Sequence, residues 1–123
     1  QDKNKYLSEA FAGLGVAKLN LKRYQDSIID FNKAIELDSK NSYALLWRGI
    51  SWYDQGEYTN SISDLNKTIK ISPNDAFAYG RRGDARFKQG NNSAACLDYK
   101  QGAALGDKYS SMRLRSEGKW CKL

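Results

Sequence analysis

The sequence predicts an all-α fold, a solenoid of helix-turn-helix repeats closed by one further helix. Three observations predict it. A 34-residue interval relates Gly15, Gly49 and Gly83, and the same interval relates Tyr24, Tyr58 and Asn92; Ser27, Ser61 and Ala95; Asp30, Asp64 and Asp98; Phe31, Leu65 and Tyr99; and Leu37, Ile71 and Leu105. Six columns in one register mark a repeated unit. Within the period, apolar residues recur at spacings of three and four, the signature of an amphipathic helix. Gly56 and Gly90, with Lys22 at the matching point of the first unit, divide each period into two helices.

Taken in order, the repeats cover about 8–41, 42–75 and 76–109 of a single domain spanning 1–123. The middle unit is the clearest. Its first helix is the stretch YALLWRGISWY, Tyr43 to Tyr53, which stops at Gln55-Gly56. Its second carries Tyr58, Ser61, Ile62, Leu65, Ile69 and Ile71 and ends before Ser72-Pro73-Asn74-Asp75, since proline cannot continue a helix. Gly15, Gly49 and Gly83 fall mid-helix, where glycine costs about 1 kcal/mol against alanine, so close helix approach is the expected compensation. The small residues Ala17, Ser51 and Ala85, two positions on, fit that reading.

The position before each glycine is Leu14, Arg48 and Arg82. An arginine facing a neighbouring helix needs a partner, and the Asp30, Asp64, Asp98 column offers one per unit. If each first helix packs on the preceding second helix, Asp30 pairs with Arg48 and Asp64 with Arg82, while Leu14 has no preceding unit. Leu37 to Arg48 and Ile71 to Arg82 are each 11 residues, and Leu105 to Arg115 is 10. Arg115 is therefore the expected partner of Asp98, on a capping helix of about 108–120 in which Trp120 aligns with Tyr53 and Phe87. The alternative leaves Arg115 solvated.

Composition narrows the function classes. The chain has 123 residues, 20 Lys plus Arg against 14 Asp plus Glu, a formal charge of +6 and no histidine. Histidine-based acid–base catalysis, the usual triads and histidine metal ligands are thereby excluded. Two cysteines, Cys96 and Cys121, are too few for a zinc site, and no cofactor is expected. They form one disulfide or remain two thiols. No stretch approaches about 20 apolar residues, so no membrane span is expected, and QDKNKY at the start has no signal-peptide core, although a signal already removed would leave the same sequence. The positive charge makes an anionic partner worth weighing against a solvated basic surface, which is favoured.

These columns resemble the tetratricopeptide repeat (TPR) family. The middle unit shows its signature as Leu45, Gly49, Trp52, Ser61, Leu65 and Pro73; unit one shows Phe11, Leu14, Gly15, Ser27, Phe31 and Ala34; unit three shows Tyr79, Gly83, Ala95 and Tyr99. Departures are Lys18 and Arg86 where an aromatic is usual, Gly102 in a small-residue slot, and no proline after units one and three. The resemblance implies a right-handed α-solenoid, here of seven helices, whose first helices line a concave surface. The surplus apolar residues of the middle unit, Tyr43, Leu46, Trp47, Ile50 and Tyr53, then face that groove, flanked by Ala12, Val16 and Leu19 on one side and by Phe77, Arg81, Asp84, Phe87 and Lys88 on the other.

Such a floor suits a protein or peptide ligand with two or three apolar anchors. The expected function is a non-catalytic protein-interaction scaffold, with Arg81 and Lys88 orienting an acidic or carbonyl-rich segment. The alternative is a self-associating module whose stripe makes a homo-oligomer contact. Some TPR modules grip C-terminal carboxylates with Lys, Asn and Arg; at the corresponding positions stand Ala12, Val16, Trp47, Phe77 and Arg81, of which only the last could serve, so no carboxylate clamp is expected. Nucleic acid is disfavoured because the basic residues are scattered and not laid along one face. An enzyme is disfavoured because no GxxxxGK[ST] or GxGxxG string occurs.

Cys96 takes the place held by Ile28 and Ile62, which suits a buried small hydrophobe. The stretches Ala-Ala-Cys-Leu-Asp-Tyr and Ala-Leu-Gly-Asp are similar to bacterial-type TPR proteins that end in a second cysteine, which implies a Cys96–Cys121 disulfide and an oxidising compartment such as the bacterial periplasm. Without the bridge the cytoplasm is expected.

Overall fold

A computed structural model describes residues 2–116 and Cys121. Among these, seven helices and no strand are present: α1 (Asp2–Asn20), α2 (Tyr24–Leu37), α3 (Ser42–Asp54), α4 (Tyr58–Ile71), α5 (Ala76–Lys88), α6 (Asn92–Ala104) and α7 (Lys108–Ser116). α1 packs on α2, α3 on α4 and α5 on α6, while α2 meets α3, α4 meets α5 and α6 meets α7. The first helices also touch in series, α1 to α3 and α3 to α5, so they share one side of the stack.

Local chemistry sets each boundary. The side chains of Asn41, Asp75 and Asn91 accept from the backbone N–H groups of Ala44, Ala78 and Ala94 at 3.0, 3.1 and 3.3 Å, satisfying donors the first helical turn leaves open. The turns inside the units need a left-handed residue, supplied by Gly56 (φ 80°) and Gly90 (φ 83°), while Lys22 adopts φ 62° in the first unit. The mid-helix glycines face the column of large residues on their own second helices. A Cβ at Gly15 would lie 2.5 Å from Phe31 Cε1, at Gly49 3.1 Å from Leu65 Cγ, and at Gly83 2.8 Å from Tyr99 Cε1. Ser51 and Ala85 are buried, Ser51 Oγ lying 2.9 Å from Ser27 Oγ of the preceding unit, whereas Ala17 has no preceding unit and is exposed.

The arginines are paired, in a different register from the expected one. Arg48 donates from Nε and Nη2 to the two carboxylate oxygens of Asp64, at 2.7 and 2.8 Å, and Arg82 does the same to Asp98 at 3.0 and 2.8 Å. The expected Asp30–Arg48 and Asp64–Arg82 pairs are therefore replaced by pairs within a unit. The reason is antiparallel packing: the arginine of a first helix lies level with the aspartate of the second helix that follows it. The link to the preceding unit is made by the remaining nitrogen, Arg48 Nη1 to Asn32 Oδ1 at 2.8 Å and Arg82 Nη1 to Asn66 Oδ1 at 2.9 Å. Each guanidinium fork thus clasps two units.

Asp30, whose unit has Leu14 where the others have the paired arginine, has Lys18 Nζ 2.8 Å from Oδ2, an ion pair without hydrogen-bond alignment. Asp98 takes a second arginine, Arg86, at 2.9 Å. Lys18 and Arg86, the departures from the family pattern, thus supply charge to the aspartate column. Arg115 does not take the role expected of it and is exposed. The start of α7 falls two residues earlier than the 34-residue interval sets, because α6 ends one residue early in its repeat and the loop after it is one residue shorter than its predecessors. Asp107 caps α7 through the backbone N–H of Ser110 at 3.1 Å, so Ser110 corresponds to Ala44 and Ala78. Leu114 then occupies the arginine register, and Arg115 points away. The far end of the expected capping helix, including Trp120, lies outside the described residues.

A disulfide joins Cys96 to Cys121, with Cα atoms 5.3 Å apart and a sequence separation of 25. Cys96 is fully buried in α6. Closing a loop of this length restricts the unfolded chain, so reduction is expected to lower the unfolding free energy by about 3 kcal/mol. Urea denaturation with and without a phosphine reductant checks this; an unchanged midpoint would contradict it.

Candidate functional site

α3 presents residues to two different surroundings. Ala44, Leu45, Gly49 and Ser51 are buried in the stack. Leu46, expected in the groove, is only 7% exposed and packs with Leu65 and Ala78. It belongs to the seam between the second and third units, because α5 approaches closely enough there to cover it. Tyr43 is 50% exposed, and Trp47, Ile50 and Tyr53 are partly exposed.

Trp47 joins the units. Its ring packs on the cluster of Ala12, Phe31, Ala34 and Ala44 and also on that of Leu46, Leu65 and Ala78. Around it runs a row of rings, Tyr43 to Trp47 at 6.2 Å between centroids and Trp47 to Phe77 at 5.9 Å, both tilted. The row continues through Arg81, whose guanidinium carbon lies 5.1 Å from the Phe77 centroid and 3.9 Å from that of Tyr109. Tyr53 turns toward its own second helix, with Tyr58 at 5.4 Å. Phe87 lies 5.1 Å under the Arg113 guanidinium, and Lys88 is exposed.

At the C-terminal end of the row Asp84 is buried and gathers donors from three helices. Tyr99 Oη donates at 2.5 Å, Tyr109 Oη lies 2.8 and 3.0 Å from the two oxygens, Arg81 Nη2 is at 3.2 Å and Arg113 Nε at 3.9 Å. Arg81 is thus committed to a carboxylate and a ring inside the protein. Tyr109, Arg113 and Tyr99 were not expected here. The signal that finds the first two is Asp107-x-x-Ser110, a capping sequence that matches Asp75-x-x-Ala78 and places Arg113 in the column of Trp47 and Arg81.

Burial holds the Tyr53 phenol in its neutral form, and the nearby Asp84 carboxylate adds to this, raising its pKa to about 12. Burial and Asp84 raise Tyr99 and Tyr109 as well. Burial also raises Asp54, against the opposing influence of Arg81. A phenol whose pKa is higher folded than unfolded keeps a proton that the unfolded chain releases. Its contribution to stability is therefore complete below pH 10, the ordinary tyrosine value, and is lost as pH rises toward about 12. Chemical denaturation at stepped alkaline pH is expected to show stability falling through that window. A flat profile there would contradict the phenol assignments.

A family model described as a tetratricopeptide repeat matches residues 8–41, and one described as a TPR repeat matches 51–90, together more than half of the chain. The chain belongs to the tetratricopeptide repeat family. Among solved TPR structures, the first TPR domain of human RPAP3 superposes with a TM-score of 0.89 at 20% identity, covering 94% of this chain and 93% of that one. The first TPR of Spaghetti (RPAP3) has also been solved bound to the HSP90 peptide SRMEEVD. The Arabidopsis OM64 TPR domain gives 0.85 at 24% identity over 93% of this chain and 98% of that one. MamA gives 0.77 at 27% identity over 85% of this chain and 61% of that one. No curated protein matches in sequence. The likenesses at 20 and 24% identity establish the TPR fold of the stack and say nothing of its ligand.

Proposed function

We propose that this TPR domain is a non-catalytic protein-interaction scaffold that takes a peptide or protein segment along the row of Tyr43, Trp47, Ile50 and Phe77. One observation carries the reading: a connected row of rings, packed on the core beneath yet still partly exposed, lies on the side shared by the first helices. Peptide binding by a structural neighbour supports the class of function. Arg81 is occupied by Asp84 and Tyr109, so Lys88 is the groove cation left to orient an acidic group of the partner. The disulfide supports an oxidising location, and the bacterial periplasm is the compartment proposed.

Light scattering over a concentration series, followed by capture of partners on wild type and on Trp47→Ala, tests the reading. The expected result is a monomer whose partner is lost with the indole. A tight dimer that shields Trp47 would favour self-association, and a partner retained by Trp47→Ala but released steeply by salt would favour a nucleic acid.

A further inference from the structure

Gly13 is a mid-helix glycine with no internal reason. A Cβ built there meets nothing within 4 Å, whereas at Gly15, Gly49, Gly80, Gly83 and Gly102 it would press on Phe31, Leu65, Asp107, Tyr99 and Ser110. The turn glycines, Gly56, Gly90 and Gly106, are fixed by positive φ. Gly13 occupies the same column as Trp47, Arg81 and Arg113, all large side chains. The row that is filled in every later unit is therefore open in the first. The opening borders Ala12 and Val16, which pack in the cluster that also holds the Trp47 ring. One turn earlier stands Glu9, exposed and carrying no ion pair among the described residues.

We propose that Gly13 leaves a notch for one bulky apolar side chain of the partner, aromatic or long aliphatic, laid against Trp47, with an adjacent Lys or Arg of the partner directed at Glu9. Charge complementarity selects this occupant over an acidic one, because the carboxylate beside the notch is Glu9 and the two groove arginines are already turned onto Asp84. The inference rests on the peptide-binding reading and makes it specific. Glycine is the residue required, since even a methyl group would enter the space the anchor uses, and helix propensity alone would favour alanine.

The probe is a displayed library of random 12-residue peptides selected on the oxidised wild-type protein, with enriched peptides measured on Gly13→Ala, Gly13→Leu, Glu9→Lys and Trp47→Ala. Enriched sequences are expected to share a bulky apolar residue beside a basic one and to weaken about tenfold or more on Gly13→Leu and on Glu9→Lys. Gly13→Ala is expected to raise Tm while weakening binding, which separates a lost contact from a lost fold. Peptides that need Trp47 but bind Gly13→Leu as well as wild type overturn the notch and leave the groove reading standing. Peptides indifferent to Trp47, or no enrichment at all, overturn both.

Discussion

Replacing Asp98 by alanine is expected to lower the unfolding free energy by about 3 kcal/mol, the lower end of what breaking a buried ion pair from one side costs. Its carboxylate is 4% exposed and accepts from three guanidinium nitrogens, two of Arg82 and one of Arg86. Truncation leaves two cations facing each other across an emptied site. Both arginines keep some contact with water, which holds the loss at the lower end. Asp98→Asn, which keeps the shape and one acceptor, is expected to cost less. Asp64→Ala provides the comparison, because Asp64 holds Arg48 and its unit has Trp52 where Arg86 stands. Urea denaturation of the three variants checks the order: Asp98→Ala least stable, then Asp64→Ala, then Asp98→Asn. Equal stability of all three with wild type would show that these forks are solvated pairs of little weight.

The second large effect lies at Phe31. The ring is fully buried in the cluster beneath Trp47, and Phe31→Ala is expected to cost about 4 kcal/mol through lost burial and the cavity left behind. The same ring makes Gly15 necessary. In the wild type, Gly15→Ala drives a methyl group to within 2.5 Å of Phe31 Cε1 and is expected to destabilise by about 2 kcal/mol. In the Phe31→Ala background that clash is gone, and the same substitution is expected to stabilise by about 1 kcal/mol through helix propensity. A double-mutant cycle reads the reversal of sign directly. Additive effects would show that Gly15 answers to something other than the ring.

The repeat was legible because packing rewrites the same demand every unit: the glycine must admit Phe31, Leu65 or Tyr99, so the two columns repeat together. Capping residues and turn glycines marked the helix ends for equally local reasons. The ion-pair register was not legible, since an aspartate column offers every arginine one partner in its own unit and another in the unit before. Only the level at which two antiparallel helices meet decides between them. The sequence points Leu46 to the groove because a spacing of three and four describes a helix face without saying whether a neighbouring helix covers it, and here α5 does. Tyr109 and Arg113 escape the repeat pattern because α6 and the loop after it are together two residues shorter than in the earlier units, which shifts every later position.

The central claim is that the ring row beside Trp47 receives a segment from outside the domain. A photoreactive benzophenone side chain placed at Tyr43, the exposed end of the row, and in a second variant at exposed Leu97 on α6, tests it most directly in the intact, oxidised protein. The account predicts adducts with a different polypeptide from position 43, suppressed by excess wild type but not by excess Trp47→Ala, and none of these from position 97. Adducts formed equally from both positions, or joining only two copies of this chain, would contradict it.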